Sequence, residues 1–153
     1  MSSVTKIVIF GASGFVGRNL CNYYSGRQNI HVVGVCRNEI SNEKFDIRVL
    51  KNFESCDALQ EIVKGADVVI HAAGLAHLKN DTGTISFHAN YLTTAAVADA
   101  CIQQNVKKFI YISSASVHGI GGLAKITENS PIAPHNAYAW SKFIGELLTK
   151  ERC

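Results

Sequence analysis

The sequence predicts an α/β fold, a doubly wound parallel sheet with helices on both faces, incomplete at its C-terminal side. Three observations point there. Short apolar runs rich in valine and isoleucine alternate with segments of helical periodicity along the chain, the pattern of strand–helix crossovers. The first run, Ile7-Val8-Ile9-Phe10, leads into three evenly spaced glycines, Gly11, Gly14 and Gly17, and into an amphipathic segment opened by Phe15, Val16 and Leu20. The last helical segment is still running at Glu151-Arg152-Cys153, with no capping glycine and no further strand.

Each element has its own signature. The unbroken apolar run reads as a strand at 5–10, and the residues behind the glycine turn read as a helix at 15–25. His31-Val32-Val33-Gly34-Val35-Cys36 is a second strand, at 31–36, and a short third follows at 45–49. A helix is expected from Asp57 to Lys64, then a fourth strand at 67–72 containing Asp67-Val68-Val69-Ile70-His71. A long helix covers 84–105, and Lys108-Phe109-Ile110-Tyr111-Ile112-Ser113 forms a fifth strand at 108–113. A loop with glycine and proline spans 119–137. Phe143, Ile144, Leu147 and Leu148 repeat at helical spacing in a final helix that starts near Asn136. The fifth strand is thereby left as an edge that a following parallel strand would normally cover.

Bulk properties narrow the function classes. The chain has 153 residues, enough for one domain with a real core, and 47% hydrophobic against 18% charged residues suits a soluble globular protein. The net charge of +3 is scattered, with Lys107-Lys108 the one adjacent pair, which speaks against nucleic-acid binding. Five cysteines, at 21, 36, 56, 101 and 153, include no CxxC pair, so reduced thiols in the cytosol are expected and no metal site. No secretory signal precedes the first strand. The most apolar stretch, Ala66 to Leu78, is interrupted by His71 and His77 and is too short to span a bilayer. A cytoplasmic protein without a membrane segment is expected.

Two groups of residues carry chemistry. Glycines in a strand–turn–helix let backbone N–H groups approach a ligand, and the unpaired first amides of the helix suit a pyrophosphate. The spacing here, G-x-x-G-x-x-G, is a variant of the usual dinucleotide pattern, and glycines in such a turn also serve packing alone. The second group is Ser113-Ser114 at the end of the fifth strand with Tyr138 and Lys142 in YAWSK. Spacing of i, i+4 puts Tyr138 and Lys142 on one helix face. A phenol titrates near about 10, and a neighbouring ammonium lowers that value toward the range of a working base. A serine hydroxyl would hold the same substrate oxygen, so the three residues suit proton transfer during oxidation of an alcohol or reduction of a ketone. Taken singly, each of the three is as well explained by structure.

Taken together, the motifs resemble those of extended short-chain dehydrogenase/reductases, and in particular the NAD-dependent epimerase/dehydratase group acting on nucleotide sugars. GASGFVG is similar to the family's glycine turn, DVVIHAAG (67–74) to its fourth-strand motif, FIYISSASVHG (109–119) to its fifth-strand motif and YAWSK (138–142) to its catalytic helix. The loop ITENSPIAPHNAY (126–138) is also typical. The resemblance implies a Rossmann-type fold and a role for each matching residue. Tyr138 would be the general acid/base, Lys142 its partner and a contact of the nicotinamide ribose, and Ser114 the holder of the reacting oxygen, with Ser113 the weaker candidate. Gly11, Ser13, Gly14, Phe15, Val16 and Gly17 would bind the dinucleotide, and Ala72, Ala73 and Gly74 would line it. Asp46 and Ile47, at the third strand, would contact adenine, a surface aspartate being the alternative. Asn90 would support the site from the long helix or be a plain surface asparagine. His71 and His77 read as ordinary strand and loop residues.

Departures from the family refine the expectation. His118 stands where the family often has tyrosine, and a packed histidine is the simpler reading. Dehydratases of the group carry an acidic pair after the catalytic Ser/Thr, where this chain has Ala115 and Ser116. Without an acid for the leaving hydroxyl, epimerisation through a transient 4-keto sugar or simple 4-keto reduction fits better than elimination. The family is about twice as long, so the chain matches its N-terminal half, and the part that holds the UDP- or dTDP-sugar is expected to be absent, leaving residues 1–153 inactive alone. A non-catalytic NAD(P)-binding redox sensor is the rival reading, and a homodimer is implied by resemblance. No carboxylate ends the second strand; Arg37 follows Cys36 there, which favours NADP over NAD unless Arg37 points to solvent.

Overall fold

The computed structural model describes residues 4–41, 44–53, 55–76, 83–120 and 125–152. In chain order these form β1 (Thr5–Phe10), α1 (Phe15–Ser25), β2 (Ile30–Cys36), β3 (Asp46–Val49), α2 (Cys56–Val63), β4 (Val68–His71), α3 (Thr84–Gln103), β5 (Lys108–Tyr111), a 3-10 turn (Ala115–His118) and α4 (Ala137–Arg152). The strands make one sheet in the order β3-β2-β1-β4-β5, and every pairing is parallel. The chain winds outward from β1 to β3, then crosses back to add β4 on the other side of β1. That reversal opens a crevice beyond the carboxyl ends of β1 and β4, the place where open α/β sheets bind ligands.

The apolar run of β1 divides between two cores because successive side chains alternate across a strand. Val8 and Phe10 point to one face, where Leu59 and Val63 of α2 and Val97, Ala100 and Cys101 of α3 cover them. Ile7 and Ile9 point to the other, against Ala12, Cys21 and the partly buried Leu20 and Tyr24 of α1. Burying each such side chain stabilises the fold by roughly 1.5–3 kcal/mol, so this strand anchors both layers. Ile110 and Ile112 lie on the α1 side of the sheet and are only half-buried. Among the described residues, no helix is long and apolar enough to cross a membrane.

The structure departs from the sequence expectation after β5. The strand closes at Tyr111 rather than residue 113, although the Ile112 N–H still donates to the His71 carbonyl at 3.0 Å. Ser114 then ends the ladder by accepting from the Ser116 N–H at 3.2 Å, which turns the chain into the 3-10 turn. A serine that offers the backbone a local partner competes with the strand in this way. His77 and Cys153 lie outside the described residues.

α4 reaches the crevice through its packing on α3. Its start is fixed by Asn136, whose Oδ1 accepts from the Ala139 N–H at 2.8 Å. Small and polar residues meet between the two helices: Ser86, Asn90 and Thr94 of α3, and Ala139, Ser141 and Gly145 of α4, are all buried.

Candidate functional site

The glycine turn forms the floor of the crevice. Gly11 has φ +88°, and a Cβ there would stand 2.7 Å from the Ala73 nitrogen and 2.8 Å from the Ala72 carbonyl carbon. Only glycine lets the β1–α1 turn approach the exit of β4 so closely. A Cβ on Gly17 would overlap the Gly11 carbonyl, so the third glycine brings α1 onto the same turn. Gly14 is the N-cap of α1; no side chain caps that end and no acidic residue stands in its first turn. The first amides of α1 therefore remain open donors with partial positive charge. The Phe15 side chain is 87% exposed and that of Val16 is exposed too, and neither residue lines the crevice.

The crevice holds about 250 Å³. Gly11, Ser13 and Gly14 line it from the turn, Val35, Cys36 and Arg37 from the end of β2, and Ala72, Ala73, Gly74 and Leu75 from the end of β4. α3 adds Ala89, Asn90 and Thr93, and Phe53 closes the β3 side. Open helix amides, a backbone cradle that a Cβ would fill and a groove running from β2 to β4 fit an extended dinucleotide with its pyrophosphate on α1.

Asn90 ties the crevice wall to α4. Its Oδ1 accepts from the Leu75 N–H at 2.7 Å, and its Nδ2 donates to the Leu75 carbonyl at 3.1 Å and to Ser141 Oγ at 3.0 Å. Ser141 Oγ in turn donates to the Tyr138 carbonyl at 2.7 Å. Lys142 is 4% exposed. Its ammonium lies against the crevice wall, 3.6 Å from where a Cβ on Gly74 would stand. Burial pushes Lys142 down to about 8, against the opposing pull of the Glu146 carboxylate. Tyr138 is half-buried one helical turn earlier.

Beneath this helix is a buried polar cluster. His71 is completely buried and is pushed down to about 3, mainly by burial and secondarily by the Lys142 charge. Thr94 Oγ1 donates to the Asn90 carbonyl at 2.7 Å, so His71 Nε2, 3.1 Å from that oxygen, carries the proton between them. Burial raises the Tyr111 phenol well above its ordinary value.

The structure brings together most of the residues singled out in the sequence. Gly11, Ser13, Gly14, Arg37, Ala72, Ala73, Gly74 and Asn90 share one crevice, and Lys142 borders it. Ser114 lies at the end of neighbouring β5, in an adjoining open depression with Ser113, His118 and Glu146. There Ser113 Oγ donates to Glu146 Oε1, and His118 Nδ1 is 3.1 Å from the Pro131 carbonyl.

Asp46 and Ile47 are not brought to the crevice. Both lie at the amino end of β3, and Asp46 pairs there with His31 Nε2 at 2.8 Å. Ligands bind at the carboxyl ends of such strands, and beyond that end of β3 it is Phe53, a residue the sequence did not single out, that lines the crevice. Its one available signal was an isolated aromatic just ahead of α2. Val35, Cys36, Leu75, Ala89 and Thr93 were also missed, because their approach depends on strand ends that converge only in the folded sheet.

The profile of the NAD dependent epimerase/dehydratase family matches residues 7–153. The chain belongs to this family. Among the family's curated proteins, an uncharacterized UDP-glucose epimerase of Bacillus subtilis is 25% identical over 94% of this chain and 50% of its own length. The chain spans about half the length of the curated relatives it matches. A UDP-glucuronic acid 4-epimerase from Bacillus cereus, solved in complex with NAD, superposes with a TM-score of 0.83 at 26% identity, over 97% of this chain and 52% of that one. The UDP-Glc/GlcNAc 4-epimerase of Campylobacter jejuni superposes with a TM-score of 0.85 over 97% of this chain and 49% of its own. At 19% identity that likeness is one of fold.

Proposed function

We propose that this chain is the NAD(P)-binding portion of a nucleotide-sugar 4-epimerase, with Tyr138, Lys142 and Ser114 as its catalytic residues. The observation that carries the reading is the Lys142 ammonium, buried in the wall of the dinucleotide crevice beside Gly74 and one turn from Tyr138. A glycine crevice alone would serve any dinucleotide protein. An ammonium buried there, on the same helix face as a phenol, suits proton transfer next to the bound nucleotide.

When bound, the dinucleotide supplies the hydride acceptor and donor. Tyr138 takes the proton from the sugar C4 hydroxyl, and Lys142 stabilises the phenolate that makes this feasible near neutral pH. The Ser114 hydroxyl holds the reacting oxygen. Asn90 keeps the Leu75 wall and α4 in register, so that crevice and catalytic helix move as one. Tyr138 then gives its proton back to the C4 oxygen, so one phenol would serve both halves of an epimerisation. The relatives named for UDP-sugars support a UDP-sugar substrate. Arg37 in the crevice after β2 supports a preference for NADP, its guanidinium meeting a 2′-phosphate. Exposed Tyr91 and Leu92 on α3 and Trp140 on α4 support a homodimer through these helices.

The test is turnover of UDP-glucose by the full-length protein, read as formation of the 4-epimer. The expected result is epimer in the wild type, a loss of about 10²–10⁴-fold in kcat for Tyr138→Phe, and an unchanged cofactor Kd. A 4-keto sugar substrate reduced without epimer formation would assign a reductase. Cofactor binding without either reaction would assign a sensor.

A further inference from the structure

We infer that Tyr111 is a positioning residue for Lys142, its ring face holding the ammonium at the crevice wall. Lys142 Nζ lies over the Tyr111 ring, 4.5 Å from its centroid. Among the described residues that ammonium makes no hydrogen bond and no ion pair, and the Tyr111 ring is the contact recorded for it. The negative face of an aromatic ring attracts a cation, and most strongly where water is excluded. Both conditions hold, since Lys142 is 4% exposed and Tyr111 is largely buried beneath α4.

The arrangement is built into two elements. Tyr111 is the last residue of β5, and its side chain leans against Phe109 and His71 on the α3 side of the sheet, with ring centroids of His71 and Tyr111 5.7 Å apart. α4 passes directly above. A Cβ at position 145 would overlap the Tyr111 hydroxyl, so Gly145, three residues after Lys142, leaves the space in which the ring lies. A larger residue at 145 would push the ring and α4 apart.

The other groups facing the ammonium do not replace the ring. His71, on β4, stays neutral down to about 3. Asn90, on α3, already directs its amide to Leu75 and Ser141. Glu146, on α4, attracts the ammonium at a distance while its carboxylate takes the Ser113 hydroxyl. Tyr138, on α4, is the group whose proton Lys142 is proposed to control.

The inference rests on the proposed pairing of Lys142 with Tyr138, but its test does not use turnover. The Lys142 side chain is titrated by NMR, its signal assigned as the one lost in Lys142→Arg. Tyr111→Phe keeps the ring face and is expected to leave the midpoint near that of the wild type. Fluorinated phenylalanines of nearly the same shape, introduced at 111, weaken the face progressively. The midpoint is expected to fall step by step, by about one pH unit for the trifluorinated ring. Tyr111→Leu should fall at least as far. A midpoint that stays constant across the fluorinated series overturns the inference while leaving the proposed reaction standing. Turnover unaffected by Tyr138→Phe would overturn the reaction while leaving the ring contact standing.

Discussion

At the scale of single residues, burial moves the titration of His71 and Lys142 well below the ranges they have in water. His71 is the clearest case for stability. Its folded-state value is depressed from 6.5 to about 3, so between those limits the unfolded chain binds a proton that the folded chain refuses. Stability is therefore fully present above about 6.5 and is lost as pH falls toward about 3. Denaturant titrations at pH 6 and pH 4 are expected to show wild type losing up to about 1.4 kcal/mol per pH unit more than His71→Leu. Equal losses would mean that His71 is protonated within the fold. Arg37 makes a second test at this scale. Charge-assisted hydrogen bonds to one phosphate contribute roughly 1.5–3 kcal/mol, so Arg37→Ala should weaken NADP binding by about tenfold or more and leave NAD nearly unmoved. Parallel titrations of both cofactors check this, and an NADP affinity untouched by the substitution would remove the guanidinium from the site.

At the scale of elements, β1, β2 and β4 were legible as short runs rich in valine and isoleucine, and α4 because Phe143, Ile144, Leu147 and Leu148 repeat at helical spacing. The glycine turn was legible because its function is backbone geometry, which glycine spacing reports directly. The β3 exit was not. β3 runs from Asp46 to Val49, and four residues beyond its end the chain brings Phe53 to the Phe10 ring, with centroids 6.1 Å apart. Nor were the Asn90 bonds to Leu75 and Ser141 legible, since they join residues 15 and 51 positions away. Helix packing supplies a prediction here. A Cβ at Gly17 would strike the Gly11 carbonyl, so Gly17→Val should force α1 off the turn and cost about 1–3 kcal/mol, as overpacking of a tight contact does. Thermal unfolding of the variant measures it, and a midpoint equal to wild type would show that α1 has room to spare.

At the scale of the whole molecule, the chain matches about half of each curated relative, and that half holds the dinucleotide crevice and the proposed catalytic helix. Residues 1–153 by themselves are expected to bind NAD(P) without measurable turnover of UDP-sugars, because substrate contacts away from the reacting carbon normally position it. Epimer formed at an ordinary rate by this chain alone would contradict that division of labour. Binding of a pyrophosphate at the open end of α1 underlies the whole proposal, and Gly14→Asp probes that end of the helix. Gly14 has φ −79°, an ordinary value for aspartate, and a Cβ there meets only the Gly11 carbonyl, at 3.3 Å. An aspartate N-cap should offset that tight contact and leave stability close to that of wild type, while placing a carboxylate where the phosphates would lie. Calorimetric titration of NAD and NADP into wild type and Gly14→Asp, with thermal unfolding of both, is the measurement. One dinucleotide site is expected in wild type and none in a variant that unfolds close to the same temperature. No binding by the wild type, or equal binding by both proteins, would contradict it.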